Sequence, residues 1–326
     1  MEGDMNDKER LLIKVANLYY RHDLTQQEIA GRLRLSRQKV QRLLRQARAE
    51  GIVQINIRPL TGAYEGLEEA LEKRFGLKEA VITETSDFEN SAVVEKEVGS
   101  AAAEYLLRVV KPGDVIAISW GGTLLGMVNA LSANPLRLSS SGIRVVQALG
   151  GLGDPNKEVH AADLTRRLAQ LLGGEAVLLP APGVAGTRQA AGAFYTDPFI
   201  QQVLALARRA DLAVMGIGAP REDSILIREG KIVSWPELEA LRQKGAVGDI
   251  NLRYFDHYGK AVPSSLDERV VGLSIEEIRS IRQVVGIAGG SEKVEAIHGA
   301  LAGQLVDVLV TDHVTAERVL ESGRTR

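Results

Sequence analysis

Residues 24–48 read LTQQEIAGRLRLSRQKVQRLLRQAR, and this stretch predicts two short helices joined by a tight turn. Thr25 and Ser36 are residue types that favour helix N-caps, so both helices have a marked beginning. Arg34 stands in the turn, at a site where glycine is common. The pattern is typical of a helix-turn-helix unit. The buried stripe of its second helix is predicted to comprise Val40, Leu43, Leu44 and Ala47.

The second helix carries five Lys or Arg residues and no acid. At 100° per residue, its glutamines and several of its arginines point away from the buried stripe. Gln and Arg can form paired hydrogen bonds with adenine and guanine edges, and flanking cations neutralise phosphates. A basic, solvated surface helix is the alternative, but the agreement of caps, turn and stripe favours DNA binding. We predict DNA contacts by Thr25, Gln26, Ser36, Arg37, Gln38, Lys39, Gln41, Arg42 and Arg45.

The flanking segments extend this unit to a winged helix-turn-helix domain over residues 1–60. Residues 8–20 carry apolar side chains at helical spacing and predict a supporting first helix. Residues 52–57, IVQINI, alternate apolar and polar side chains after Gly51, which predicts a short wing strand.

The charge distribution separates this domain from the rest of the chain. Residues 7–58 carry twelve Lys or Arg and five Asp or Glu, a net charge of +7. Residues 59–326 carry 28 bases and 35 acids, a net charge of −7. A basic head on an acidic body indicates that nucleic acid is contacted by the head alone.

Composition excludes several classes of protein. The 326 residues contain no cysteine, which excludes disulfides, thiolate metal sites and a cysteine nucleophile. The five histidines show no metal-ligand spacing, so we predict neither a metal site nor a cofactor. No apolar run reaches membrane-spanning length, and the polar N-terminus does not resemble a signal peptide. We expect a cytoplasmic protein with no membrane partner.

Beyond a predicted linker helix in residues 61–77, residues 78–326 alternate strands and helices. The strand segments are apolar on both faces, which predicts a mainly parallel sheet covered by helices and a ligand at the strands' carboxyl ends. The fold class is therefore α/β, with a Rossmann-like body behind the winged head. Strands are predicted at 80–83, 114–119, 143–149, 176–180, 212–218, 284–289 and 306–312. Helices are predicted at 89–110, 123–132, 160–172, 198–210, 291–302 and 313–322.

Glycine-rich loops follow several of these strands. Residues 121–123, GGT, add a hydroxyl at the start of a helix, and Lys293 follows the loop at 286–290 in a first helical turn. Helix N-termini attract anions, and a lysine there makes sense if it faces an anionic ligand. Most such glycines merely make turns, but the two loops together favour a phosphate site. No complete Walker A or GxGxxG pattern is present, which argues against nucleotide binding.

The segment 245–259, GAVGDINLRYFDHYG, concentrates side chains that suit sugar chemistry. Asp249 and Asp256 could bind hydroxyl groups or act as acid or base, with His257 beside them. The alternative is an edge strand that ends in a turn at Tyr258.

A family resemblance is carried jointly by the helix-turn-helix, the GGT loop, the VVQALGG strand, the GDINLRYFD segment and the GIAGGSEKVEAI ending. Over about residues 10–320 the chain resembles the SorC-type sugar-responsive transcriptional regulators. That family includes the central glycolytic gene regulator and deoxyribonucleoside regulator types. The resemblance implies an effector domain similar to sugar-phosphate isomerases and deaminases, a phosphorylated sugar effector, and homo-oligomers such as dimers or tetramers. It implies an effector site formed by Gly121, Gly122, Thr123, Leu124, Gln147, Asp249, Phe255, Gly289 and Lys293.

The leading hypothesis is a regulator of carbohydrate metabolism genes, expected to be a repressor, that binds double-stranded operator DNA and responds to a phosphorylated sugar. The alternative is an enzyme, a sugar-phosphate isomerase or deaminase with an added DNA-binding head. A constitutive DNA-binding protein with an empty α/β body is a third possibility, but it leaves the phosphate-like loops unexplained.

Overall fold

The computed structural model describes residues 7–53, 64–133, 142–151, 161–222 and 233–322. The chain separates into two compact units, Met1–Thr61 and Gly62–Arg326.

Three helices form the first unit around one small core. They are α1 (Asp7–Tyr20), α2 (Gln26–Leu33) and α3 (Arg37–Ala49). Thr25 caps α2 in a capping box, in which its hydroxyl accepts from Glu28 N and the Glu28 carboxylate accepts from Thr25 N at 2.8 Å. Ser36 caps α3 by accepting from Lys39 N at 3.2 Å. The core comprises Leu12, Val15, Ala16, Leu18, Ile29, Ala30, Val40, Leu43, Leu44 and Ala47.

The turn between α2 and α3 has a left-handed residue at the site where glycine is common. Arg34 adopts φ 55° and ψ 44°, a conformation that costs about 1 to 2 kcal/mol for a residue with a Cβ. Leu35 N then donates to Ala30 O at 2.9 Å and closes the turn. The predicted helix-turn-helix is confirmed. Of the predicted wing strand at 52–57, residues 52 and 53 form a bend, and the remainder lies outside the described residues.

The second unit is built on a nine-stranded sheet. Seven strands pair in parallel in the order β1-β9-β8-β5-β2-β3-β4, and the antiparallel hairpin β6–β7 attaches to β5. Its strands are β1 (Glu79–Thr83), β2 (Val115–Ile118), β3 (Arg144–Gln147), β4 (Glu175–Val177), β5 (Leu212–Gly218), β6 (Gly248–Ile250), β7 (Arg253–Phe255), β8 (Val284–Ile287) and β9 (Val308–Asp312).

Helices cover both faces of the parallel sheet. Ile116 and Ile118 of β2 pack into one hydrophobic core, while Val115 and Ala117 pack into the other. This alternation explains why the strand sequences are apolar throughout. The helices are α4 (Glu65–Phe75), α5 (Ser91–Val109), α6 (Gly122–Ala133), α7 (Ala161–Leu171), α8 (Arg188–Thr196), α9 (Pro198–Arg208), α10 (Trp235–Gln243), α11 (Ile275–Arg279), α12 (Val294–Ala302) and α13 (His313–Glu321).

Helix α4, predicted as part of a linker, belongs to the second unit and covers the edge of its sheet. Glu72 accepts from Ala80 N at 2.9 Å, and Glu68 accepts from Ile82 N at 3.0 Å. These two carboxylates satisfy backbone donors that β1 would otherwise leave open at the edge. Burial raises the pKa of Glu68 against the opposing effect of this hydrogen bond.

The strand order reverses direction between β2 and β5. From β2 the chain adds β3 and β4 on one side, then returns to place β5 on the other side of β2. Ligands of open α/β sheets bind in the crevice outside such a switch point, at the carboxyl ends of the strands. The predicted parallel α/β fold is confirmed, whereas helices α8, α10 and α11 and the β6–β7 hairpin were not predicted.

Candidate functional site

Helix α3 presents one buried and one exposed face. Its stripe from Val40 to Ala47 is buried, and its basic and amide side chains are exposed on the other side. None of the ion pairs among the described residues involves a cation between residues 37 and 45. Arg48 is held differently, because its Nε donates to the Tyr20 hydroxyl at 2.7 Å. The exposed set comprises Arg37, Gln38, Lys39, Gln41, Arg42 and Arg45.

The remaining predicted DNA contacts lie at the two helix N-termini. Thr25 and Ser36 are exposed N-caps, and half-buried Gln26 is the first residue of α2. The Thr25 hydroxyl also donates to the Glu28 carboxylate at 2.7 Å, and these hydrogen bonds lower the pKa of Glu28. Both caps therefore have a structural role, and their contact with DNA stays a prediction.

A cavity of about 370 Å³ opens at the carboxyl ends of β2, β5 and β8. This is the sheet's switch point, and the volume suits a small polar ligand. Six of the nine predicted effector residues line it, namely Gly121, Gly122, Thr123, Leu124, Asp249 and Lys293. Other lining residues include Ser91, Glu95, Ser119, Trp120, Arg221, Asn251, Leu252 and Glu292.

The N-terminus of α6 forms one wall of the cavity. Gly121 takes φ +140°, which favours glycine, and α6 begins at the next residue. The backbone N–H groups of Gly122, Thr123 and Leu124 make no hydrogen bond to any residue that the structure describes. Three free donors at the positive end of a helix dipole form an anion-binding surface.

Lys293 lines the same cavity as this helix end. It ends a 3-10 turn, Ser291–Lys293, and its side chain is 16% exposed. Its Nζ lies 4.0 Å from Oε1 of Glu95 on α5. A hydrogen bond holds the loop that precedes Lys293, since Gly290 N donates to Asp312 Oδ2 at 3.1 Å. The lysine is thus placed to meet an anion bound at the start of α6.

Asp249, on β6, is a buried residue that also lines the cavity. Burial raises its pKa to about 6, although a hydrogen bond from Leu252 N at 3.1 Å and the charge of Lys293 both act to lower it. Its Oδ1 packs directly against Gly218, where a Cβ would lie 2.2 Å away. A carboxyl in this position accepts hydrogen bonds from ligand hydroxyl groups when ionised, and it can also donate one when protonated.

The tip of the β6–β7 hairpin brings a second polar group to the cavity. Asn251 and Leu252 both have positive φ, at 59° and 60°. The Asn251 side chain holds this turn, because its Nδ2 donates to Ala148 O and Leu273 O, each at 3.2 Å. Its Oδ1 is buried and has no hydrogen-bond partner among the described residues. Because Asn251 lines the cavity, this buried unpartnered acceptor is a candidate partner for a ligand hydroxyl.

Three predicted effector residues do not reach the cavity. Gln147 is buried and fully engaged, donating to Leu149 O at 2.7 Å and accepting from Leu179 N at 3.2 Å. Phe255 is completely buried in the second hydrophobic core. At Gly289 a Cβ would lie 2.3 Å from Asp312 Oδ2, so this glycine serves packing. The structure thus places these three residues away from the cavity wall, and a part for them in effector binding stays a prediction.

The structure does not bring together Asp249, Asp256 and His257, the candidate acid–base residues of the enzyme hypothesis. Asp256 accepts from Tyr258 N at 2.9 Å and Lys260 N at 3.0 Å, which forms the turn after β7. The exposed His257 ring packs against Tyr258. Neither Asp256 nor His257 lines the cavity that contains Asp249.

Among the polar lining residues that sequence reasoning did not predict, Asn251 and Glu95 were missed for different reasons. Asn251 lies within the quoted GDINLRYFD motif and follows Asp249 by two positions, so a signal was available. Glu95 lies in a charged stretch of α5, VVEKEVG, which reads as an ordinary solvated helix face. Only the packing of α5 against α6 identifies it.

Within the described ranges, no group of three or more His, Cys, Asp or Glu side chains could hold a metal ion. No helix in that part of the chain is long and apolar enough to cross a membrane.

A helix-turn-helix with an exposed basic face, joined to an α/β unit whose cavity is lined by free backbone donors and a lysine, is the arrangement of a DNA-binding regulator with its own ligand domain. Comparison with known proteins agrees. A family model described as "Putative sugar-binding domain" matches residues 61–321, and one described as "Sigma-70, region 4" matches residues 3–50.

Similar proteins span nearly the whole chain. The deoxyribonucleoside regulator of Bacillus subtilis (strain 168) is 32% identical, covering 96% of this chain and 98% of its own. The sorbitol operon regulator of Klebsiella pneumoniae is 33% identical, covering 97% and 99%. The crystal structure of the full-length sorbitol operon regulator SorC from Klebsiella pneumoniae matches with a TM-score of 0.72 and 31% identity, covering 95% and 98%.

The chain therefore belongs to the SorC-type family of sugar-binding transcriptional regulators. It is a DNA-binding transcriptional regulator with an N-terminal helix-turn-helix and a sugar-binding α/β domain. The relatives are named as regulators and not as enzymes.

Proposed function

We propose that this regulator represses carbohydrate metabolism genes by binding double-stranded operator DNA through α3, and that a phosphorylated sugar in the cavity controls this binding. The names of the sorbitol operon and deoxyribonucleoside regulators support the gene class. A homo-oligomer, dimer or tetramer, completes the proposal, since helix-turn-helix regulators commonly bind two half-sites through two heads.

The phosphate part of the proposal depends on one observation. Three unpaired backbone donors at the start of α6 and the Lys293 ammonium converge on the same cavity. Backbone donors at a helix N-terminus and a lysine are the usual protein partners of a phosphate group. A carboxylate ligand would satisfy fewer of these donors than a phosphate with three terminal oxygens.

The sugar part of the proposal depends on two other polar residues that line the cavity, Asp249 and Asn251. Asp249 offers a carboxyl whose pKa is raised to about 6, and Asn251 offers an unpartnered acceptor. Groups of this kind recognise hydroxyls, because a ligand without them would leave a buried acceptor unsatisfied. A phosphorylated polyhydroxy compound could use both sets of groups, with its phosphate at the start of α6 and Lys293 and its hydroxyls at Asp249 and Asn251.

Control of DNA binding requires that the ligand bind two states of the protein differently. The effect on operator affinity is limited by that difference, usually about 1 to 3 kcal/mol. Such a coupling corresponds to roughly 5- to 150-fold in operator affinity.

Fluorescence anisotropy tests the proposal directly. We would titrate the protein with DNA from upstream of its own gene and with scrambled DNA at fixed salt, with and without a panel of sugar phosphates. We expect one compound to shift specific binding, and the Lys293→Ala variant to bind DNA normally but lose the shift. Lys111→Ala, which removes an exposed lysine, is the matched control. An unchanged response in Lys293→Ala would refute the site.

A second candidate function is favoured by one observation. A buried carboxyl with a pKa of about 6, such as Asp249, can act as a general acid or base in sugar isomerisation. Incubation of the protein with the same sugar phosphates, followed by product analysis, tests this. Turnover that is lost in Asp249→Asn would establish an enzyme, whereas recovery of unchanged compounds would leave regulation as the function.

A further inference from the structure

Glu95 occupies the mouth of the proposed phosphate site. It projects from α5, and its carboxylate lies flat against Gly122, the first residue of α6. A Cβ at Gly122 would lie 2.2 Å from Glu95 Oε2 and 2.4 Å from Oε1. The same carboxylate lies 4.0 Å from Lys293 Nζ. An anion of the protein itself thus lies between the two features that would bind a phosphate.

The charges lining the cavity are unfavourable for a phosphate in this arrangement. Among the described lining residues, three carry carboxyl groups, Glu95, Asp249 and Glu292, and two are cations, Arg221 and Lys293. A phosphate group that carries up to two negative charges would therefore enter next to a like charge at Gly122.

The backbone that carries Glu95 is held tightly in place. A Cβ at Gly126 on α6 would lie 2.4 Å from Glu95 O, and one at Gly99 on α5 would lie 2.6 Å from Met127 N. Helices α5 and α6 are thus in backbone contact and cannot separate without losing this packing. The Glu95 side chain is 35% exposed, so it can rotate towards solvent while its helix stays fixed.

We propose that Glu95 acts as a built-in competitor for the phosphate of the effector, engaging Lys293 and covering the start of α6 until a phosphate displaces it. Glu95 then sets the threshold of effector concentration and discriminates against weak anions. A free inorganic anion gains only the phosphate contacts, whereas a phosphorylated sugar also gains those at Asp249 and Asn251. The inference rests on the proposed phosphate site.

The test compares the full-length protein with Glu95→Gln, which keeps the side-chain size and removes the charge. Inorganic phosphate is the probe, and its binding is measured by phosphorus-31 NMR line broadening at fixed ionic strength. We expect Glu95→Gln to bind phosphate about tenfold more tightly, equivalent to about 1.4 kcal/mol. Glu104→Gln removes one charge from an exposed position on the same helix, and we expect it to match the parent protein.

The outcomes separate this inference from the proposed function. Equal or weaker phosphate binding by Glu95→Gln, with measurable binding by the parent protein, would overturn the inference alone. Absence of phosphate binding by both proteins, or binding that Lys293→Ala does not reduce, would overturn the phosphate site and the inference together. Tighter binding in Glu95→Gln that is lost again in Glu95→Gln/Lys293→Ala would support both.

Discussion

Replacing Asp249 by Asn should stabilise the protein while removing part of its sugar-binding chemistry. Asp249 is 7% exposed, and within the described residues the only hydrogen bond to its carboxylate comes from Leu252 N. An asparagine side-chain oxygen can accept the same bond. The substitution therefore removes a buried charge and keeps the shape of the site.

The magnitude follows from the raised pKa of Asp249, which moves from its ordinary value of 3.8 to about 6. Because the folded state binds this proton more tightly, the stabilisation is complete below pH 3.8 and is lost as the pH rises through 6. One pKa unit corresponds to about 1.4 kcal/mol, so the ionised carboxylate costs about 3 kcal/mol at pH 8. At pH 5 the same relation gives about half that cost.

Thermal unfolding followed by tryptophan fluorescence measures this effect. Both tryptophans, Trp120 and Trp235, lie in the second unit, so the signal reports that unit alone. For a unit of this size, about 3 kcal/mol corresponds to a rise in Tm of roughly 6 to 12 °C at pH 8, with a smaller rise at pH 5. The exposed Asp87→Asn is the control, with no expected change. The reasoning would be refuted if Asp249→Asn did not raise the Tm, or if it raised the Tm equally at both pH values.

Three further substitutions test the helix-turn-helix and the core. Arg42→Ala should weaken specific operator binding by about 1 to 3 kcal/mol if this exposed side chain contacts a base, and anisotropy that shows unaltered affinity would count against that role. Arg34→Gly should stabilise the turn by about 0.5 to 1 kcal/mol, because Arg34 has a φ of 55° that glycine adopts without strain. We expect slower amide hydrogen exchange in α2 and α3, and faster exchange would contradict this prediction. Arg253→Met should destabilise the second unit by about 3 kcal/mol or more, since the 8% exposed guanidinium donates to buried carbonyls including Leu273 O, and an unchanged Tm would show that water replaces them.

The sequence predicted the helix-turn-helix closely because its signals are local. Thr25 and Ser36 mark helix starts through bonds to residues three positions away, and both bonds are present. The left-handed turn at Arg34 was visible as a departure from the common glycine. Short-range hydrogen bonding and helical periodicity need no knowledge of the rest of the fold.

The parallel sheet was also predictable, because strands buried on both faces are apolar throughout. The shortest of the elements that were missed have weaker signals. The three-residue strands β6 and β7 are too short for a periodic pattern, and the five-residue helix α11 has only one turn. Sequence patterns of that length do not separate a strand from a turn.

Six of the nine predicted effector residues line the cavity, and three do not. The difference is one of side-chain direction. Gln147 lies in a strand as predicted, yet its amide hydrogen-bonds with Leu149 O and Leu179 N and does not line the cavity. Gly289 lies in the predicted loop, yet it faces Asp312. Neighbouring residues of a strand point to opposite faces, so a shift of one residue decides whether a side chain contacts a ligand or packs inside the protein.

The sequence by itself determined the two-part organisation, the basic recognition helix, the α/β class and the glycine-rich strand ends. These depend on composition, charge and periodicity within short windows. Only the tertiary structure placed Glu95 against Gly122 and near Lys293, although 27 and 198 positions separate them in the chain. It also buried Asp249 and so raised its pKa to about 6. Electrostatic effects depend on distance and burial in space, which the order of residues along a chain does not contain.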